Sequence, residues 1–105
     1  MVFQLGAALL DTCVLAVLAR EDMYGYALTQ RIQQVTEVSE STLYPVLRRL
    51  QKEGALTVYD QPYQGRNRRY YAITPQGRAA LGSNRSEWGL FVNNIGKLLE
   101  TGGAQ

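Results

Sequence analysis

The sequence predicts a mainly α (α+β) fold: three helices, a two-stranded hairpin and one further long helix. Three observations lead there. Apolar residues recur at helical spacing through three stretches, 5–20, 24–36 and about 39–53. From Leu56 to Thr74 the period changes to alternation, with Gln64-Gly65-Arg66-Asn67 between two β-rich runs. After Thr74-Pro75 the helical period returns and continues to about Glu100, leaving 101–105 as an expected frayed tail.

The first helix, Leu5 to Arg20, contains the run LGAALLDTCVLAVLA and is apolar on nearly all sides. In a chain of 105 residues such a helix demands more burial than its own domain supplies. It does not read as a signal peptide, because no basic residue precedes it, Asp11 sits in its middle and a small-x-small cleavage site is lacking. Fifteen residues also fall short of a membrane span. The expectation is a buried helix of a cytoplasmic protein without a membrane partner. Glu21-Asp22-Met23 is a polar break.

The second helix follows from Tyr24, with Leu28, Ile32 and Val35 on one face and Gln30, Arg31, Gln33 and Gln34 on the other. After a short turn, Ser39 or Ser41 is placed to cap the third helix, and Gly54 to end it. Leu43, Val46, Leu47 and Leu50 form its apolar face, yet Pro45 lies among them. An interior proline removes a backbone donor, a loss best tolerated near a helix N-terminus. The opposite surface then presents Ser41, Thr42, Tyr44, Pro45 and Arg48, with Arg49 and Lys52 as possible additions.

The final helix starts on a Thr cap with Pro at its first position. Leu81, Trp88 and Ile95 step by seven, with Phe91, Val92, Leu98 and Leu99 between, which makes a heptad-like seam. Gly82, Gly89 and Gly96 keep the same step. Three helical glycines cost about 3 kcal/mol, which close approach of another helix would offset. The first helix is the obvious neighbour, and a second copy of the last helix the next. The seam predicts a homodimer with a shared core, in which two third helices sit roughly 34 Å apart.

Three helices followed by a hairpin is the order of a winged helix-turn-helix, here with an added C-terminal dimerisation helix. The division expected is 1–74 for the winged unit, its first helix also in the interface, and 75–105 for the dimerisation helix and tail. A net charge of +2 says little about partners, but its distribution says more. Between Arg48 and Arg69 six basic residues face only Glu53 and Asp60, while Asp11, Glu21, Asp22, Glu37 and Glu40 precede them. Hydroxyls at a helix N-terminus with cations one turn on suit entry into a DNA major groove. Arg66, Arg68 and Arg69, clustered with Gly65 and Asn67 at the hairpin tip, make a second, backbone-binding prong. The capping role of Ser41 and Thr42 is the plainer alternative on that helix alone.

Catalysis has no foothold. The chain has no histidine, no acid pair at useful spacing, no phosphate-cradling glycine loop and no metal-ligand cluster, so neither enzyme activity nor a cofactor or metal is expected. The single Cys13 excludes an internal disulfide.

The stretches YGYAL at 24–28, STLYPVLRRLQKEG at 41–54 and GRNRRYYAITPQG at 65–77 resemble the PadR family of bacterial transcriptional regulators. The resemblance implies a dimeric winged-helix repressor that reads pseudo-palindromic double-stranded DNA with the helix at 41–52 and the wing at 64–68. Tyr24 and Tyr26 fall on the family's aromatic positions of the second helix, for packing against the wing or for DNA contact. The single short C-terminal helix is similar to that of multidrug-sensing members, in which a tryptophan of each subunit stacks on planar compounds. That likeness places Trp88 beside an effector pocket for a planar aromatic molecule, walled by Leu9, Thr12 and Cys13; otherwise Trp88 is interface core. Where relatives carry an acid one turn after the tryptophan, this chain has Val92, which weakens the case for cationic ligands. Cys13 is expected to be an inert thiol rather than a redox sensor. A winged-helix protein-interaction module without DNA binding is the alternative function, and it would want an apolar or acidic outer face on the third helix.

Overall fold

The computed structural model describes the backbone of residues 7–104 and the side chains of 8–100. Its elements run α1 (Ala7–Arg20), β1 (Met23–Tyr24), α2 (Gly25–Gln33), α3 (Glu40–Lys52), β2 (Leu56–Tyr63), β3 (Arg66–Ile73) and α4 (Pro75–Ala104). Leu5 and Gly6, expected at the head of the first helix, lie outside the described residues. The core forms where α1, α2 and α3 meet one face of the sheet. Val14, Leu15 and Leu18 meet Leu28 and Ile32, Leu43, Leu47 and Leu50, and Leu56 and Tyr71. All four apolar residues of the third-helix pattern are buried, as its spacing required.

Four local expectations are corrected. The sheet has three strands, ordered β1-β3-β2 and antiparallel throughout, rather than two. Met23 and Tyr24, read as the end of a polar break and the start of a helix, pair with Tyr71 and Tyr70 along the open edge of β3. Two residues are too few for a period to reveal. The hairpin loop is also shorter than expected: only Gln64 and Gly65 turn, at φ 51° and 79°, as a two-residue type I′ connection requires. Arg66 and Asn67 therefore belong to β3, opposite Tyr63 and Pro62. Val35 lies past the end of α2 and is 69 % exposed, so it leaves the core face that its spacing implied. Finally, α4 stays helical through Ala104 instead of ending near Glu100.

The junction between α3, the sheet and α4 is tightly specified. The Ala55 N–H donates to the Leu50 carbonyl at 2.9 Å and that of Gly54 to Gln51 at 3.1 Å, a Schellman closure with Gly54 at φ +85°. Thr74 caps α4 by accepting the Gly77 N–H at 3.0 Å, and its hydroxyl donates to the Gly54 carbonyl at 2.6 Å. Gln76 Nε2 adds a bond to the Glu53 carbonyl. Gly77 is required by closeness: a Cβ there would overlap the Ala55 carbonyl oxygen and come 2.8 Å from Ile73.

Beyond this junction α4 runs along α1. Its thirty residues extend about 45 Å. Leu81 is buried, but Trp88, Leu90, Phe91, Val92, Ile95, Leu98 and Leu99 are between 38 % and 72 % exposed. Among the described residues nothing lies within 4 Å of a Cβ built on Gly82, Gly89 or Gly96, so the expected close approach of α1 to these glycines is not made there.

Candidate nucleic-acid interface

The N-terminus of α3 is built by Ser39, which settles the choice of cap. Its Oγ accepts the Thr42 N–H at 3.2 Å, donates to the Thr42 hydroxyl at 3.1 Å and lies 2.9 Å from that of Ser41. Ser41 and Thr42 are therefore exposed hydroxyls gathered over the first turn, free of the capping duty itself. Pro45 is exposed one turn on, within a continuous helix. Its missing N–H leaves the Ser41 carbonyl without its usual intrahelical donor, on the outer surface where water or a ligand donor can reach it. Arg48 and Lys52 continue this exposed strip toward the C-terminus.

Two residues of the third helix are held against neighbouring elements. Tyr44 is half-buried, its hydroxyl and ring lying 3.4–3.5 Å from where a Gly25 Cβ would stand. Arg49 points to α1, with Nη2 2.5 Å from Asp11 Oδ1 and Nη1 3.3 Å from Glu53. The hydrogen bond to Asp11 raises the Arg49 pKa above its already high ordinary value. Arg49 is thus a tie between the first and third helices rather than part of the outer strip, and Asp11, a charge in an apolar helix, gains its reason.

The hairpin faces α3 across an open groove lined by Tyr24, Gly25, Tyr26, Tyr44, Tyr63 and the residues from Arg66 to Arg69. Arg66 and Asn67 are exposed at its rim, and among the described residues Arg66 has no ion-pair partner. Arg69 lies opposite Asp60, 3.9 Å away, so part of its charge is answered within the hairpin. Arg68 behaves differently from both. Its guanidinium lies 4.0 Å from the Tyr24 ring centroid and 3.6 Å from that of Tyr63. On the same sheet face Tyr70 tilts against Tyr24, and Tyr59 stacks on Tyr70 with centroids 5.5 Å apart. The Tyr59 hydroxyl donates to Asp22 at 2.7 Å, which holds its proton and raises its pKa. Of the two roles open to Tyr24, packing against the wing is the one the structure displays. Sequence reading missed Tyr63 as its counterpart. The two-residue turn was the signal, since it sets Tyr63 diagonal to Arg68 on one face.

A second concavity, about 250 Å³, lies between α1 and α4 and is lined by Ala8, Leu9, Thr12, Asn84, Glu87, Trp88 and Phe91. The Trp88 and Phe91 rings are 5.9 Å apart and tilted by 35°. The structure thus brings Leu9, Thr12 and Trp88 together as expected from the resemblance, but not Cys13 or Val92. Cys13 lines a separate groove with Val17, Met23 and Ile32, where burial pushes its thiol pKa up. Glu87, not foreseen, supplies a carboxylate at the cleft.

A family profile described as the Transcriptional regulator PadR-like family matches residues 14–83, from within α1 through the first turns of α4. Among curated proteins, the transcriptional regulator Rv3488 of Mycobacterium tuberculosis is 43 % identical over 68 residues, 64 % of each chain, so the match spans just under two thirds of that relative. An uncharacterized protein of Lysinibacillus sphaericus is 36 % identical over 84 residues, 75 % of this chain and 77 % of its own. Among solved structures, smu.1704 from Streptococcus mutans UA159 superposes with a TM-score of 0.89 at 37 % identity, covering 95 % of this chain and 94 % of its own. A PadR-like transcriptional regulator, BC4206 from Bacillus cereus, gives 0.81 at 33 % identity over 88 % and 92 %. Among the described residues no helix is long and apolar enough to cross a membrane.

Proposed function

The chain belongs to the PadR-like family of transcriptional regulators, and on that premise we propose that it is a homodimeric repressor that binds operator DNA through α3 and the hairpin wing. The observation that carries this reading is an exposed cationic edge on α3 together with an exposed arginine, unpaired among the described residues, at the tip of the hairpin. Arg48 and Lys52 line the outer side of α3, and Arg66 marks the rim of the wing. The strip of Ser41, Thr42, Tyr44, Pro45 and Arg48 supplies the base-reading edge, and Arg66 and Asn67 form the phosphate prong, with Arg68 behind them on β3. A protein-interaction module would lack a purpose for this surface, which is neither apolar nor acidic.

Residues 1–74 act as the winged unit and 75–105 as the dimerisation arm. The exposed seam of Trp88, Phe91, Val92, Ile95, Leu98 and Leu99 is more contiguous apolar surface than a lone subunit keeps in water. The glycine stripe beside it, which no other described residue fills, leaves room for a partner helix. The Leu9–Thr12–Trp88 cleft, with Phe91 and Glu87, is the effector site, suited to a planar aromatic compound and, through Glu87, to one bearing positive charge. An effector that changes how the two α4 helices meet would alter the spacing of the two reading helices. A mobility-shift titration against the promoter of the chain's own operon tests the reading. Binding that survives in the parent and changes its preferred sequence in Arg48→Ala supports it; absence of a shift at low salt refutes it.

A further inference from the structure

We propose, building on the DNA-binding reading above, that Arg68 is a positioning residue: held between the Tyr24 and Tyr63 rings, it fixes the wing tip against the helix-turn-helix so that Arg66 reaches the duplex.

The need for such a tie follows from the sheet. β1 is two residues long and covers β3 only at Tyr70 and Tyr71. From Arg69 outward the hairpin has no third strand, and residues 59–67 are all exposed. A two-stranded ribbon of this kind is marginal in water and has no fixed direction of its own. Arg68 is the exception in the tip: half-buried, with an aromatic ring on each side of its guanidinium.

The two rings come from different parts of the molecule. Tyr63 is the last residue of β2 before the turn. Tyr24 is the N-cap residue of α2, where the helix-turn-helix begins. One side chain from β3 therefore links the far end of the wing to the reading unit. A planar guanidinium serves both rings at once; an ammonium is a point charge on a flexible stem and does not. With both rings in place, Arg68 has little freedom to follow a phosphate. Arg66, exposed and unpaired among the described residues, is the cation available for that.

Fluorescence anisotropy of a labelled duplex from the chain's own promoter, titrated with the parent, R68A, R68K, Y63L, R66A and R66A/R68A, tests this. Two cation–π contacts at a partly exposed site correspond to roughly a tenfold weakening on their loss. R68K should be as weak as R68A despite keeping its charge, and Y63L should match both. Adding R66A to R68A should cost less than about twofold, because an unfixed wing no longer delivers Arg66. Near-ultraviolet circular dichroism should show a changed tyrosine signal in R68K while the far-ultraviolet spectrum stays that of the parent. The proposal is overturned by R68K binding within about twofold of the parent, or by R66A and R68A losses that multiply. A parent that binds no duplex overturns the DNA-binding reading itself; a parent that binds alongside an equally competent R68K overturns only the role of Arg68.

Discussion

Thr74→Ala should cost about 2 kcal/mol of folding stability, far more than a threonine-to-alanine change at an ordinary surface position. The Thr74 hydroxyl works in two directions, accepting the Gly77 N–H at 3.0 Å and donating to the Gly54 carbonyl at 2.6 Å. Loss of an N-cap acceptor typically costs about 1 kcal/mol. Removing the donor from a part-buried carbonyl adds about 1 kcal/mol more. Thr74→Ser keeps both bonds and loses one half-buried methyl, worth about 0.4 kcal/mol. Urea titrations followed by far-ultraviolet circular dichroism separate these values, provided every variant is compared at one protein concentration, since an associating chain is stabilised by mass action. Should Thr74→Ala fall within about 0.5 kcal/mol of Thr74→Ser, the junction does not hold α4 as described.

Three further outcomes are expected. Asp11→Asn should destabilise by about 0.5–1 kcal/mol, because Arg49 remains 40 % exposed on its side chain and solvent screens the pair. The gap from the parent should narrow in 1 M salt, and a gap indifferent to salt would contradict an ionic tie. Cys13 is held as the neutral thiol by burial, so its thiolate fraction at pH 8 is below that of a free cysteine. Iodoacetamide should label it more slowly than glutathione at that pH; equal rates would place the thiol in solvent. Ile95→Glu puts a charge in the middle of the α4 seam and should shift sedimentation at micromolar concentration toward single subunits, while unchanged sedimentation would remove α4 from the interface.

The long periodic elements were legible because their apolar residues had one dominant neighbour. Leu43, Val46, Leu47 and Leu50 of α3 all went where a period of 3.6 sends them. What escaped was set by contacts distant in sequence. β1 exists because β3 offers an open edge, and two residues carry no period. Val35 keeps helical spacing, but α2 ends before reaching it. Arg49 looked like one of a row of outer cations until Asp11, thirty-eight residues earlier, came within hydrogen-bond reach. The wing shows the same limit. Its arginines could be counted in the sequence, but their different duties depend on register: Arg69 opposite Asp60, Arg68 between rings, Arg66 open. The glycines of α4 suggested a closely approaching helix, and among the described residues α1 does not come that near.

The most direct test of the DNA-binding reading is sedimentation velocity of the full chain, alone and with a labelled duplex from its own promoter, across a series of salt concentrations. Two chains should sediment together without DNA and add as a pair to one duplex. With Arg48, Lys52 and Arg66 contributed by each, binding should fall with a log–log salt slope of about −5. A stably folded single subunit at micromolar concentration, with no affinity for the duplex even in dilute buffer, would contradict it.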